Sequence, residues 1–136
     1  KRRLDPAVLR QPVRERMRND LATLRSDATV GEALALFSTR RFSIYPLAGP
    51  DGRLDGCLAR EDLFNFLKRA DVSMESPLEE IERLHLPVCP VESEVEEAVE
   101  SMIRSGLQKC LVTDRDGRLV GIVSVMDLMG PGAAGA

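Results

Sequence analysis

The sequence predicts an α+β fold in which one β-α-β-β-α unit is used twice. Three observations carry that expectation. An offset of 65 residues pairs Val30, Glu32 and Ala33 with Val95, Glu97 and Ala98 without a gap. The same offset pairs Asp51-Gly52-Arg53-Leu54 and Gly56 with Asp116-Gly117-Arg118-Leu119 and Gly121, then Asp62-Leu63 with Asp127-Leu128. A repeat of this length fixes architecture more firmly than local propensity does. The remaining two observations are a helical apolar spacing and an Asp-Gly dipeptide between apolar runs, each found once per copy.

Each copy opens on a short apolar stretch, Leu21 to Leu24 or Leu86 to Cys89, read as a first strand. Polar entries follow, Asp27 with Thr29 and Ser93 with Glu96 and Glu97, which supply the caps and early negative charge of a helix start. The helices carry Val30, Ala33, Leu34 and Phe37, and Val95, Ala98, Val99, Met102 and Ile103, so each buries one stripe. Next come strands at Ser43 to Ala48 and Lys109 to Thr113, turns at Pro50-Asp51-Gly52 and Arg115-Asp116-Gly117, and strands at Arg53 to Ala59 and Arg118 to Ser124. Gly accepts the positive φ such a hairpin turn requires. Each last strand runs into a helix through Asp62-Leu63 or Asp127-Leu128. The domain boundaries expected are a linker at 1–12, a first motif at 13–70, an inter-motif linker at 71–81, a second motif at 82–129 and a disordered tail at 130–136. A short helix is expected at Leu78 to Leu84, between the punctuating Pro77 and Pro87.

Composition narrows the function classes. The 136 residues, 43% hydrophobic and 30% charged, describe a globular chain large enough for a contiguous core. No apolar run approaches the ~18 residues of a transmembrane helix. The sequence opens on Lys1 with no apolar leader, which reads as a segment of a longer polypeptide. Residues 1–18 hold seven Lys or Arg against Asp5 and Glu15, whereas 71–100 hold ten acidic side chains against Arg83. The basic arm reads as a solvated linker, because no stacking aromatic accompanies it, and nucleic acid is not the expected partner. Cys57, Cys89 and Cys110 are too few and scattered for a zinc site or a disulfide framework, and read as buried small hydrophobes in a reducing cytoplasm. His85 is the only histidine, so no multi-histidine metal site and no convincing triad base is present. No metal and no cofactor are expected.

The run Leu107-Gln108-Lys109-Cys110-Leu111-Val112-Thr113-Asp114-Arg115-Asp116-Gly117-Arg118-Leu119-Val120-Gly121-Ile122-Val123-Ser124-Val125-Met126-Asp127-Leu128 resembles the second half of a tandem pair of cystathionine β-synthase (CBS) domains, a Bateman module. The first copy keeps Pro46, Asp51-Gly52, Gly56 and Asp62-Leu63. The resemblance covers about residues 13–129. It implies two units related by a pseudo-twofold axis and packed through their sheets, with two clefts suited to an adenosine ligand such as AMP, ADP, ATP or S-adenosylmethionine. The family's ligand motif is Gly, two residues, Ser or Thr, two residues, Asp. Its carboxylate accepts the ribose hydroxyls and its hydroxyl faces a phosphate. Gly121, Ser124 and Asp127 carry the intact version, completed by Asp20, Ala22, Phe42 and Ser43 in the preferred cleft. In the other, Ala59 replaces the hydroxyl residue, Asp62 remains, Arg60 offers compensating charge, and His85, Pro87, Leu107 and Gln108 complete a weaker cleft. Phe42 offers a flat face for adenine, and Arg41 stands where the other copy has Gly106.

Two functional classes follow. One is a regulatory module that binds an adenine nucleotide and controls a covalently attached effector. The other is a structural dimerisation module with degenerate, empty clefts. An enzyme is a distant third, since no nucleophile–base pair, phosphate-cradling loop or metal cluster is present. A homodimer is expected in either case, with Leu34, Phe37, Val99, Met102 and Ile103 as its candidate surface. Asp62 and Asp127 have a plainer reading as helix caps.

Overall fold

The computed structural model describes residues 4–40, 42–69 and 71–129. Arg41, Lys1 to Arg3 of the basic arm, and the tail at 130–136 lie outside the described residues. Two compact units emerge: residues 22–85, here the first unit, and the residues up to Leu21 together with those from Leu86 onward, the second. Neither unit is a continuous copy of the sequence repeat.

In the first unit, β1 (Leu24–Arg25), α1 (Val30–Thr39), β2 (Ile44–Ala48), β3 (Leu54–Ala59) and α2 (Arg60–Leu67) follow in the expected order. β1 pairs parallel to β2, and β2 pairs antiparallel to β3. Thr29 caps α1 in a reciprocal box: its hydroxyl accepts from the Glu32 amide at 3.2 Å, and the Glu32 carboxylate accepts from the Thr29 amide at 3.2 Å. Asp27, expected at this cap, instead pairs with Arg25 at 2.7 Å. Gly52 takes φ 81° in the β2–β3 turn, the conformation that the Asp-Gly dipeptide foretold. The core gathers Val30, Ala33, Tyr45, Leu47, Leu58 and Leu63. Tyr45 is fully buried and donates its hydroxyl to the Leu36 carbonyl at 3.3 Å, with the Phe37 ring edge-on at 4.7 Å.

The second unit repeats the plan with β4 (Val88–Pro90), α3 (Val95–Ser105), β5 (Lys109–Thr113), β6 (Leu119–Ser124) and α4 (Val125–Met129). β4 runs parallel to β5 and β5 antiparallel to β6, with Gly117 at φ 83° in the turn. Ser93 does not cap α3 as expected. Glu94 takes that position without a side-chain bond, and the Ser93 hydroxyl donates to Glu97 at 3.0 Å. Cys89 and Cys110 sit side by side in this core, and Cys57 is buried in the first unit; no disulfide joins them. The Cys110 thiol, hydrogen-bonded to Cys89 and desolvated, is pushed far above its usual value.

Only part of each expected helical stripe is buried. Val30 and Ala33, and Val95, Ala98 and Met102, enter the cores, but Leu34 stays 38% and Ile103 75% exposed. α3 packs on β4, β5 and the turn at Pro6–Arg10, and α1 packs on α2, and these contacts leave Leu34 and Ile103 uncovered among the described residues.

Each unit is closed by a brace that precedes the other copy in sequence. Residues 6–10, within the stretch assigned to a linker, form a 3₁₀ turn, and Val8 and Val13 lie in the second core. The Val13 amide donates to the Ser93 carbonyl at 2.8 Å, and the Val95 amide, an otherwise unpaired donor at the α3 start, reaches the Gln11 carbonyl at 2.9 Å. In the first unit the Leu78 amide donates to Ala28 at 3.2 Å and the Val30 amide to Ser76 at 2.8 Å. Every one of these partners is related by the 65-residue offset. The expected helix at Leu78 to Leu84 is only a 3₁₀ turn, Leu78–Glu80, because Leu84 exchanges both backbone hydrogen bonds with Cys57 and draws the chain into an extended form.

Candidate functional site

The end of β6 gathers the intact motif. Asp127 is the third residue of α4, and its Oδ2 accepts from the Ser124 amide at 2.8 Å and the Ser124 hydroxyl at 3.0 Å. That is half of a reciprocal capping arrangement, so the plainer reading of Asp127 is realised in part. Its Oδ1 accepts from Arg18 Nε at 3.3 Å. The Arg18 side chain is 62% exposed and that of Asp127 only 14%. The brace holds Arg18 there. Its backbone exchanges hydrogen bonds with Ile122 at 2.8 and 3.0 Å, and Met17 lies over Gly121 so closely that any Cβ there would collide with the Met17 side chain. Gly121 is therefore needed for that contact, not for its own backbone angle.

The equivalent corner of the first unit is built differently. Asp62 is partly buried and makes no side-chain hydrogen bond or ion pair with any described residue. Ala59 stands at the α2 N-cap with no side-chain bond to offer. Arg83, related to Arg18 by the repeat, lies over Gly56 and donates to the Leu78 and Ile81 carbonyls at 2.9 and 3.3 Å. Its side chain is 15% exposed, 3.7 Å from Asp55. The cause is a one-residue slip: the brace meets Ile122 at Arg18, but meets its equivalent Cys57 at Leu84, one position beyond Arg83. In a paired segment such a slip turns each side chain to the opposite face. Gly56 at φ 70°, where the β2–β3 register shifts between Pro46 and Ala48, accompanies it.

The other expected site residues divide between the units. Asp20 is exposed in the second unit, the one that holds Ser124 and Asp127, whereas Ala22 packs against the first core. Phe42 and Ser43 belong to the first unit. The Phe42 ring is 44% exposed and meets Tyr45 edge-on at 5.8 Å. Ser43 lies beside Ala59 and Arg60, whose amide donates to the Ser43 carbonyl at 2.8 Å, and an open cavity of about 480 Å³ is lined by Ser43, Ile44, Ala59, Arg60, Glu61 and Phe64. His85 is exposed near Gly56 in the first unit, so it sits in the same unit as Arg60 and Asp62. Pro87, Leu107 and Gln108 belong to the second unit. Pro87 accepts from the Leu111 amide at 2.8 Å, and Gln108 from the Val125 amide at 3.1 Å.

Arg18 is the residue that sequence reasoning missed. The signal was present, since Pro12, Arg18 and Leu21 match Pro77, Arg83 and Leu86 at the same offset. Its partner stands 109 residues away, where no local pattern reaches. Among the described residues no cluster of His, Cys, Asp or Glu is arranged to hold a metal ion, and no helix is long and apolar enough to cross a membrane.

A family model described as CBS domain matches residues 13–69 and 72–130. An uncharacterised protein of Methanocaldococcus jannaschii is 27% identical over 90% of this chain and 43% of its own length. The inosine-5'-monophosphate dehydrogenase of the same organism is 24% identical over 81% of this chain and 21% of its own. The chain thus spans less than half the length of these curated relatives. Among solved structures, the CBS domain of a bacterial CNNM/CorC family Mg2+ transporter superposes with a TM-score of 0.72 at 21% identity, covering 89% of this chain and 74% of that one. The same description in complex with ATP gives 0.71 at 19% identity, covering 89% and 86%. At such identities the likeness shows the fold.

Proposed function

This chain belongs to the CBS domain family, and we propose that it is a regulatory module that binds an adenine nucleotide and passes the bound state to a covalently attached effector. The observation that carries the reading is the convergence of Ser124 and Asp127 at the β6 end, a hydroxyl and a carboxylate 3.0 Å apart. Asp127 suits the paired hydroxyls of a ribose, and Ser124 suits a phosphate oxygen. An ATP complex of a similar fold supports the ligand class. In the first unit, Asp62 offers the same acceptor and Arg60 an exposed charge, without the hydroxyl, which makes it the weaker site.

Titration calorimetry with AMP, ADP, ATP and S-adenosylmethionine tests the reading. Asp127→Ala should remove the tighter event, a loss of about 1.5–3 kcal/mol for a hydrogen bond to a charged group, and Asp62→Ala should leave it nearly unchanged. Equal losses would place the ligand elsewhere. Silence from all four compounds would favour the second reading, a structural dimerisation module. That alternative has its own support in apolar side chains left exposed in each unit, Leu34 in the first and Ile103, Met126 and Met129 in the second. Light scattering is expected to report a homodimer, and a monomer at high concentration would remove that part of the proposal.

A further inference from the structure

The Arg18–Asp127 pair occupies the very carboxylate that a ribose would need. We propose that Arg18 is a phosphate-responsive latch on Asp127, which makes the Ser124/Asp127 site select phosphorylated nucleosides over the bare nucleoside; the inference rests on the nucleotide reading of that site. Each carboxylate oxygen offers about two lone-pair positions. Asp127 Oδ2 already takes two donors from Ser124, and Oδ1 takes one from Arg18. Oδ2 is thus full and Oδ1 keeps one open position, so a vicinal diol that addresses both oxygens displaces a Ser124 donor, and one that takes both positions of Oδ1 displaces the Arg18 guanidinium.

What the displaced groups gain depends on the ligand. A nucleoside returns them to water. A phosphoryl group gives both a stronger partner, because a guanidinium meets phosphate through two parallel N–H donors, whereas Arg18 meets Asp127 through Nε alone at 3.3 Å. The backbone of Arg18 is pinned to Ile122, so the cation stays at the motif, while its largely exposed side chain has room to turn. The first unit shows no such pair: Arg83 donates to backbone carbonyls, and among the described residues Asp62 pairs with no cation.

The test compares AMP with adenosine by calorimetry on the whole chain, for wild type, Arg18→Ala and Arg18→Lys. Wild type should prefer AMP by about tenfold or more, the scale of one charge-assisted contact. Arg18→Ala should weaken AMP by about tenfold, leave adenosine equal or tighter, and bring the ratio to about threefold or less. Arg18→Lys, a single-point donor, should fall between. An unchanged AMP-to-adenosine ratio in Arg18→Ala overturns the latch while leaving the nucleotide reading standing. No binding of either compound to wild type overturns both.

Discussion

The two units share a sequence pattern and differ at the carboxylate that matters. In the second, Asp127 is held by three donors; in the first, Asp62 is held by none among the described residues. Two changes account for this. Ser124 has become Ala59, which the sequence states outright. The brace has slipped by one residue, which takes an arginine present in both copies and turns one toward the motif and the other into a bed of carbonyls. A repeated sequence thus does not guarantee a repeated site. A single position of register along an irregular segment decides which side chain faces the corner of Ser124 and Asp127.

That comparison is open to direct attack. The largest effect is expected at the braces, where Val13 and Leu78 occupy equivalent, fully buried positions. Val13→Asp and Leu78→Asp each strand a carboxylate in a core and should cost about 3–5 kcal/mol. Read by hydrogen exchange, Val13→Asp should lower protection across 86–129 and spare 22–85, and Leu78→Asp should do the reverse. Identical patterns from both would contradict the assignment of the braces.

The glycines come next. Gly56→Ala forces a side chain into φ 70° and within 2.9 Å of Arg83 Cβ, a strain of about 1–3 kcal/mol. Gly121→Ala has no positive φ to contend with, and its clash falls on Met17, whose unbranched chain bends away more readily. Thermal melts should therefore show the larger loss for Gly56→Ala. A larger loss at Gly121 would mean that the Met17 contact is what pins the Arg18 brace. The smallest effect is a gain: Ala59→Ser places a hydroxyl at the α2 N-cap and should stabilise the chain by about 1 kcal/mol. A drop in melting temperature would show that this corner cannot accept the geometry of its counterpart.

Much of the fold was legible because its signals are local. Thr29 with Glu32 announces a helix start, and Asp-Gly between apolar runs announces a hairpin, because each acts on backbone groups within four residues. Gly121, Ser124 and Asp127 were singled out by resemblance to a family motif, and the contact of Ser124 with Asp127 is again local, three residues apart. The braces were not. Apart from brief 3₁₀ turns they lack regular structure, and they attach through isolated bridges such as Pro12 with Glu94 and Thr29 with Pro77, which leave no periodicity. Their trace was identity at the 65-residue offset, at Pro12 and Arg18 where no element was expected and at Pro77 and Arg83 around an expected short helix. The exposure of Leu34 and Ile103 was hidden for another reason: spacing shows which residues share a helix face, but not how much of that face its neighbours cover.

The exchange of braces also sets an order of events during synthesis. The residues around Val8 and Val13 leave the ribosome before anything they pack against, and their core is complete only when β6 and α4 have followed, about a hundred residues later. At ordinary elongation rates of about 5–20 residues per second this is a delay of several seconds. The first unit has no such wait, since everything between Ala22 and His85 emerges in one stretch. The first unit is thus expected to fold before the second. The segment around Val8 and Val13, made before either unit, is the last to be claimed, and its exposed valines are what a chaperone would engage meanwhile.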